Sequence, residues 1–365
     1  MSEYESLAKN VIKKTLKVKP KENVIVECWN HGLPVAAEFV YQLRAAGAHP
    51  MLLFEDEPTV WRSITTLPKS KLGRVGSHEW KAVDEADAYV FIPGPADISK
   101  VREVGSEKWG AFTGYNNDWY KRAEKNRLRG ARIALGYATQ PRATSYGFDL
   151  DAWQAMLLDA SSVDPSEILK AGRKVQSALS KKGRLEISAP NGTRFSCDLV
   201  GRKAGIEDGV VSEEDLDDGE NVANIPAGEV YVIPDEKSAE GTIVFDRPVA
   251  NLGRWIRGIS LAFDNGKLAK WGAAENADMI QREWDAAKGD PGRERLAYLD
   301  IGVNPRGRQG FLQDVIAAGN VYVAVGNNDE VGGKNNSDFY LGASLTGATV
   351  TVNGKPVVRD GALEQ

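Results

Sequence analysis

Asn224-Ile-Pro-Ala-Gly-Glu-Val-Tyr-Val-Ile-Pro234, followed closely by Glu240-Gly-Thr-Ile-Val-Phe-Asp246, is the stretch from which the fold can be read. Two runs of β-branched and aromatic residues are punctuated by proline and glycine, which predicts two strands joined by a short loop. Glu229 stands where the first strand begins. A strand end holds a side chain on rigid backbone and leaves it free to face a cleft, which suits a binding group. A glutamate at a turn is also, by default, simply solvated.

Downstream, strands dominate: 255–263, 267–273, 299–303, 320–325 and 349–352, with one helix at about 275–288. Asp264-Asn265-Gly266 and Val352-Asn353-Gly354 are tight hairpin turns. Just upstream, 184–197 reads as strand, Asn191-Gly192 turn, strand. The acidic run 215–220 reads as a solvated loop.

Before residue 182 the pattern alternates. Helices are expected at 4–17, 34–46, 58–66, 78–87 and 117–128, and two more within 150–182. Strands at 23–28, 49–54, 88–92 and 131–135 are nearly continuous apolar runs, as in strands covered on both faces. Alternating strands and helices argue for βαβ units around a largely parallel sheet. The fold class is therefore an α/β N-terminal domain, residues 1–182, followed by a mainly antiparallel β domain, residues 183–365.

A chain of 365 residues suits two domains, and a net charge of −5 gives no footprint for nucleic acid. No apolar run is long enough to span a membrane and no leader segment is visible, so a cytoplasmic protein is expected. Cys28 and Cys197 lie far apart in strand-like runs and read as small buried hydrophobes rather than a disulfide. No glycine-rich phosphate loop occurs.

The segment 224–246 resembles the signature of the thermophilic metallo-aminopeptidases, the aminopeptidase T and S type, which carry Leu-Pro-x-Gly-Glu-Val-Phe-x-x-Pro and then Glu-Gly-x-Val-Val-Phe-Asp. The resemblance is clear from about residue 184 and weaker before it. It implies two divalent ions held by five side chains, about 3.5–4 Å apart and activating a water for attack on an amide. It also implies a homodimer. Glu229 matches the first of the family's ligands. The segments for the others match 295–305, 321–326 and 332–342, but the ligands do not. The second glutamate falls on Tyr298, the first histidine on Tyr322, and His-x-Asp on Tyr340-Leu341-Gly342.

The histidine count tells the same story without an alignment: His31, His49 and His78 all precede residue 80. The same losses remove the ligand set of the related dihydroxypyridine ring-cleaving dioxygenases, which use one iron with Glu, His and Asp. No cofactor is therefore expected. An all-oxygen site from Glu229, Asp300, Asp329 and Asp338 is the alternative that would suit Mg or Ca.

Three ligand positions changed to tyrosine support two readings. Phenols can fill a polar cavity left by lost metals, or they can donate hydrogen bonds to a ligand or an oxyanion. The expected catalytic set is Glu229, Tyr298, Tyr322 and Tyr340. Asn336, Ser337 and Asp329 in the polar loop beside Tyr340, and His31 in the loop after the first strand, are the expected substrate contacts. Trp29, Trp109 and Trp119 lie in or near loops at the ligand-facing edge, positioned to line an aromatic pocket or to pack a core. The expected partner is a small molecule or peptide, with three possible functions: a metal-independent enzyme on a small amide, peptide or aromatic substrate; a non-catalytic binding protein; or a metal-dependent aminopeptidase with an atypical ligand set.

Overall fold

A computed structural model describes residues 2–364, the side chain of Glu330 excepted. The chain forms two compact units, residues 1–165 with 209–226, and residues 166–208 with 227–365. The boundary read at 182 thus falls inside the second unit. Helix Pro165–Leu179 belongs to that unit, and the segment 209–226 returns to the first.

The first unit is built on a five-stranded parallel sheet. From one edge its order is His49–Glu55, Asn23–Trp29, Ala88–Ile92, Arg129–Ile133 and Val222–Ile225. The last strand comes from the stretch that opened the sequence reading. Asn224 and Ile225 therefore close the first sheet, and Glu229 lies in the second unit, which the chain re-enters at Ala227. The three inner strands from Asn23, Ala88 and Arg129 are largely buried, as a parallel sheet requires.

His49–Glu55 departs from its expected burial: Met51, Leu52 and Phe54 are each about two-fifths exposed (42%, 43% and 43%). Its apolar run is that of an inner strand, but its place in the sheet is an edge. The first helix is also shorter than expected, α-helical over Glu5–Asn10 and continued as a π turn over Val11–Thr15. The acidic run is not a loop. Glu213–Asp218 is helical, started by a capping box between Ser212 and Asp215. Cys28 and Cys197 are both free and buried. Burial pushes the Cys28 thiol up to about 11 and Cys197 higher still, so neither is poised as a nucleophile.

Among the described residues the second unit holds, besides a two-stranded sheet of Val249–Asn251 with Arg254–Ile256, two larger antiparallel sheets. The larger has eight strands and includes the 184–197 hairpin, observed as Lys182–Ser188 paired with Arg194–Val200. The smaller has five strands in the order Tyr340–Leu345, Val321–Gly326, Leu296–Gly302, Glu229–Val232 and Gly205–Glu207. Tyr340 opens a regular strand, Tyr340–Leu345, that the sequence reading did not include among its strands.

Helix Pro165–Leu179 covers one face of this small sheet. Its buried positions Ile168, Gly172, Val175 and Leu179 form one stripe. A β-carbon on Gly172 would lie 3.1 Å from Ile206 and 3.3 Å from Val230. Because side chains alternate along a strand, Ile206 and Val230 on the helix side put Glu207 and Glu229 on the other. Gly172→Val is expected to cost about 1–3 kcal/mol by forcing helix and sheet apart. A urea midpoint equal to the parent's would show that the helix does not seat this closely.

Among the described residues no helix is long and apolar enough to cross a membrane.

Candidate active site

The free face of the small sheet carries one polar side chain after another. Register sets Glu229 opposite both Gly302 and Glu207, Asp300 opposite Tyr231 and Tyr322, Tyr322 opposite Ser344, and Gly326 opposite Tyr340. Register therefore gathers Glu229, Tyr298, Asp300, Tyr322 and Tyr340 on one side. A cavity of about 380 Å³ opens here, lined by Glu229, Tyr298, Asp300, Tyr322, Arg247 and Trp255 among others.

The three phenols form a hydrogen-bonded trio. Tyr340 Oη lies 2.5 Å from Tyr298 Oη and 2.8 Å from Tyr322 Oη. The Tyr298 ring stacks on both partners, with centroids 6.2 Å from Tyr322 and 6.1 Å from Tyr340. Tyr340 reaches the surface, 40% exposed; it does not itself line the cavity and is joined to it through its bonds to Tyr298 and Tyr322. Burial first, then the neighbouring phenols and carboxyls, raises all three hydroxyls far above the ordinary tyrosine range. They are donors, not bases, at neutral pH. Three hydroxyl protons serve two mutual bonds, so one proton remains to be donated elsewhere.

The glycine in the family's aspartate position has a physical partner. A β-carbon on Gly342 would lie 2.6 Å from Cε1 of Tyr322 and closer still to its Cζ and Oη. The Tyr322 ring occupies the space a side chain at residue 342 would need. Gly342 and Tyr322 therefore share one volume.

Asp300 is buried (4% exposed), and its Oδ1 has no hydrogen-bond partner among the described residues. Burial, then the negative charge of Glu229 and Glu207, pushes its carboxyl well up. Burial likewise raises Glu229. Arg247 is the one basic side chain among the described lining residues. It is committed to Asp314, with Nε 2.7 Å from Oδ2. The site is thus a set of proton-holding acids rather than a charged relay.

Asp300 and Glu207 were not singled out as catalytic from sequence. Asp300 had a usable signal, because it lies two residues after Tyr298 and so shares its face. Glu207 sits in a three-residue strand with no pattern to reveal it.

The expected substrate contacts are placed elsewhere. Asn336, Ser337 and Asp329 are not among the cavity's lining residues. Ser337 accepts from Phe339 N through Oγ and donates its own N–H to Asn327, while Asn327 also bonds Asp329; these bonds shape the loop. His31 belongs to the first unit, where its Nε2–H donates to the carbonyls of Gly136 (2.9 Å) and Pro93 (3.2 Å). Glu57 lies 4.0 Å from its Nδ1. His31 ties loops together in that unit.

The sequence model of the thermophilic metalloproteases, family M29, matches residues 1–296. The chain belongs to this family. The match ends just before Tyr298, so all three tyrosine-bearing segments lie beyond it. No curated protein shows significant sequence similarity to the chain. Among solved structures, wild-type AmpT from Thermus thermophilus superposes with a TM-score of 0.77 at 18% identity, covering 100% of this chain and 99% of its own. The 2,5-dihydroxypyridine dioxygenase of Pseudomonas putida KT2440 superposes with a TM-score of 0.62, also at 18% identity, covering 100% and 98%. At that identity both establish the shared fold alone.

Family membership implies metal ions, and the donor set of this chain does not fit them. Glu229 is in place. The facing positions offer neutral phenols bonded to one another and, at Gly342, no side chain. Among the described residues no three His, Cys, Asp or Glu converge as a metal group. The all-oxygen alternative also lacks its set, because Asp329 and Asp338 do not line the cavity.

Proposed function

We propose that this M29 member is a metal-independent hydrolase acting on a small amide or peptide. The observation that carries the reading is the apposition of two acid-holding groups, Glu229 and Asp300, with a phenol trio that keeps one proton to give. Both carboxyls are raised by burial, and Asp300 further by the charge of Glu229, so the pair can divide into an acid and a base, the logic of paired-carboxylate hydrolases. The ionised member takes a proton from water as the water oxygen adds to the carbonyl carbon. The protonated member gives its proton to the leaving amine. The spare phenolic proton binds the oxygen that becomes negative. A cavity of about 380 Å³ accommodates a substrate of limited size.

The test is turnover of a panel of aminoacyl anilides and small amides by the purified chain, before and after EDTA, alongside elemental analysis. Turnover is expected to survive chelation, with less than one transition ion per chain. Tyr322→Phe is expected to lower kcat about tenfold, the worth of one hydrogen bond made in the transition state. Turnover abolished by EDTA and restored by zinc or cobalt would return the chain to ordinary metalloprotease chemistry. Saturable binding of the same compounds without product would make it a binding protein.

A further inference from the structure

The first unit contains a second cavity, of about 250 Å³, that the proposed hydrolase chemistry does not use. Three tryptophans line it: Trp29, Trp109 and Trp119. Trp119 packs edge-on against both Tyr89 (4.9 Å between centroids) and Tyr120 (5.3 Å). The walls are therefore flat π faces, suited to an aromatic body or a cation.

Two oppositely charged side chains, Glu27 and Arg132, line the cavity. Parallel register places Glu27 beside Phe91 and Phe91 beside Arg132, at one level on three adjacent strands. All three line the cavity. Two strand spacings separate the Glu27 and Arg132 backbones by about 10 Å, with Phe91 between them.

Neither charge is spent on the other. The Glu27 carboxylate accepts from the Tyr89 hydroxyl, and no Lys or Arg pairs with it among the described residues. Its charged neighbours are acidic, Glu55 and Glu79; burial first, and those charges after, push Glu27 up to about 7. Arg132 donates from Nη2 to Tyr120 Oη at 2.6 Å, while its Nε is buried with no partner among the described residues.

The location follows a general rule. Strand order runs outward in both directions from Asn23–Trp29, first to His49–Glu55 on one side and then to Ala88–Ile92 on the other. That reversal is a topological switch point, where open parallel sheets bind ligands near the strands' carboxyl ends. Glu27, Phe91 and Arg132 all lie in the carboxyl halves of their strands.

We propose that this cavity binds a small, flat zwitterion, with its ammonium group at Glu27 among the aromatic walls and its carboxylate at Arg132. A cavity of roughly 150 Å³ holds benzene, so the volume here suits one ring with a short charged group at each end.

The probe is 4-(aminomethyl)benzoate, titrated into the full chain at pH 7.5 by tryptophan fluorescence and calorimetry. It is compared with 4-methylbenzylamine and 4-methylbenzoate, which each keep one charge. The zwitterion is expected to bind saturably and about tenfold more tightly than either analogue, which corresponds to 1.4 kcal/mol. Glu27→Gln keeps an acceptor for Tyr89; it is expected to weaken the zwitterion and the amine about tenfold and to spare the benzoate. Arg132→Gln should do the reverse. Asp300→Asn, in the second unit, should leave probe binding unchanged. No saturable binding, equal affinity for all three probes, parent affinity in both Glu27→Gln and Arg132→Gln, or loss in Asp300→Asn would each overturn the assignment. The ligand series on the unmodified chain decides the question even where a variant fails to fold.

Discussion

Asp300→Asn is expected to lower kcat by about 10²- to 10⁴-fold, the usual worth of a positioned acid–base group, and also to stabilise the folded chain at pH 8. Both effects come from one fact. Asp300 is buried beside Glu229 with its Oδ1 unpartnered, so its ionised form is strongly disfavoured. The sign for stability follows from proton linkage. The folded carboxyl keeps its proton to a higher pH than the unfolded one. As pH rises through and above the ordinary carboxylate range the unfolded chain releases a proton the folded chain still holds, and stability falls.

The parent is therefore expected to lose stability as pH rises above the ordinary carboxylate range, from about pH 4, and the asparagine variant to lose less. The gap between them is expected to widen as pH rises. Urea unfolding at several pH values measures it. Parallel profiles for parent and variant would mean that Asp300 ionises freely and cannot serve as the proton-holding acid. Such a gain in stability at the expense of turnover is what a strained functional carboxyl predicts.

Gly342→Ala is expected to destabilise the second unit by about 2–3 kcal/mol, the upper part of the range for overpacking. The added carbon would overlap the Tyr322 ring, which the hydrogen bond to Tyr340 holds in place. Tyr322→Ala alone should cost about 3 kcal/mol through the space it leaves. The double variant should cost less than the sum by at least about 1 kcal/mol, because the residue-342 side chain then enters vacated space. Simple additivity would show that the two positions do not share volume. Trp255, Trp271 and Trp284 lie in the second unit and report its unfolding.

The sequence by itself determined the alternation that makes a parallel sheet, the turn chemistry that makes the antiparallel strands, and the membership of the chain in a metalloprotease family. It also determined that no histidine follows residue 78, so the second unit has no imidazole to offer a metal. These are properties of local pattern and residue inventory.

Other features depended on tertiary structure. Edge or centre is a property of strand order, so the apolar run at 49–55 could not reveal that Met51, Leu52 and Phe54 are exposed. The strand Val222–Ile225 joins a sheet whose other members end some ninety residues earlier, a pairing no local pattern encodes. Tyr298, Tyr322 and Tyr340 could be named from sequence, but their mutual bonds depend on three strands meeting in register. The same is true of Glu27 and Arg132, more than a hundred residues apart. Only the sheet sets them at one level, with Phe91 between them and tryptophans around. Charge, shape and proton affinity in both cavities arise from long-range register and burial, and these are fixed only once the whole chain has packed.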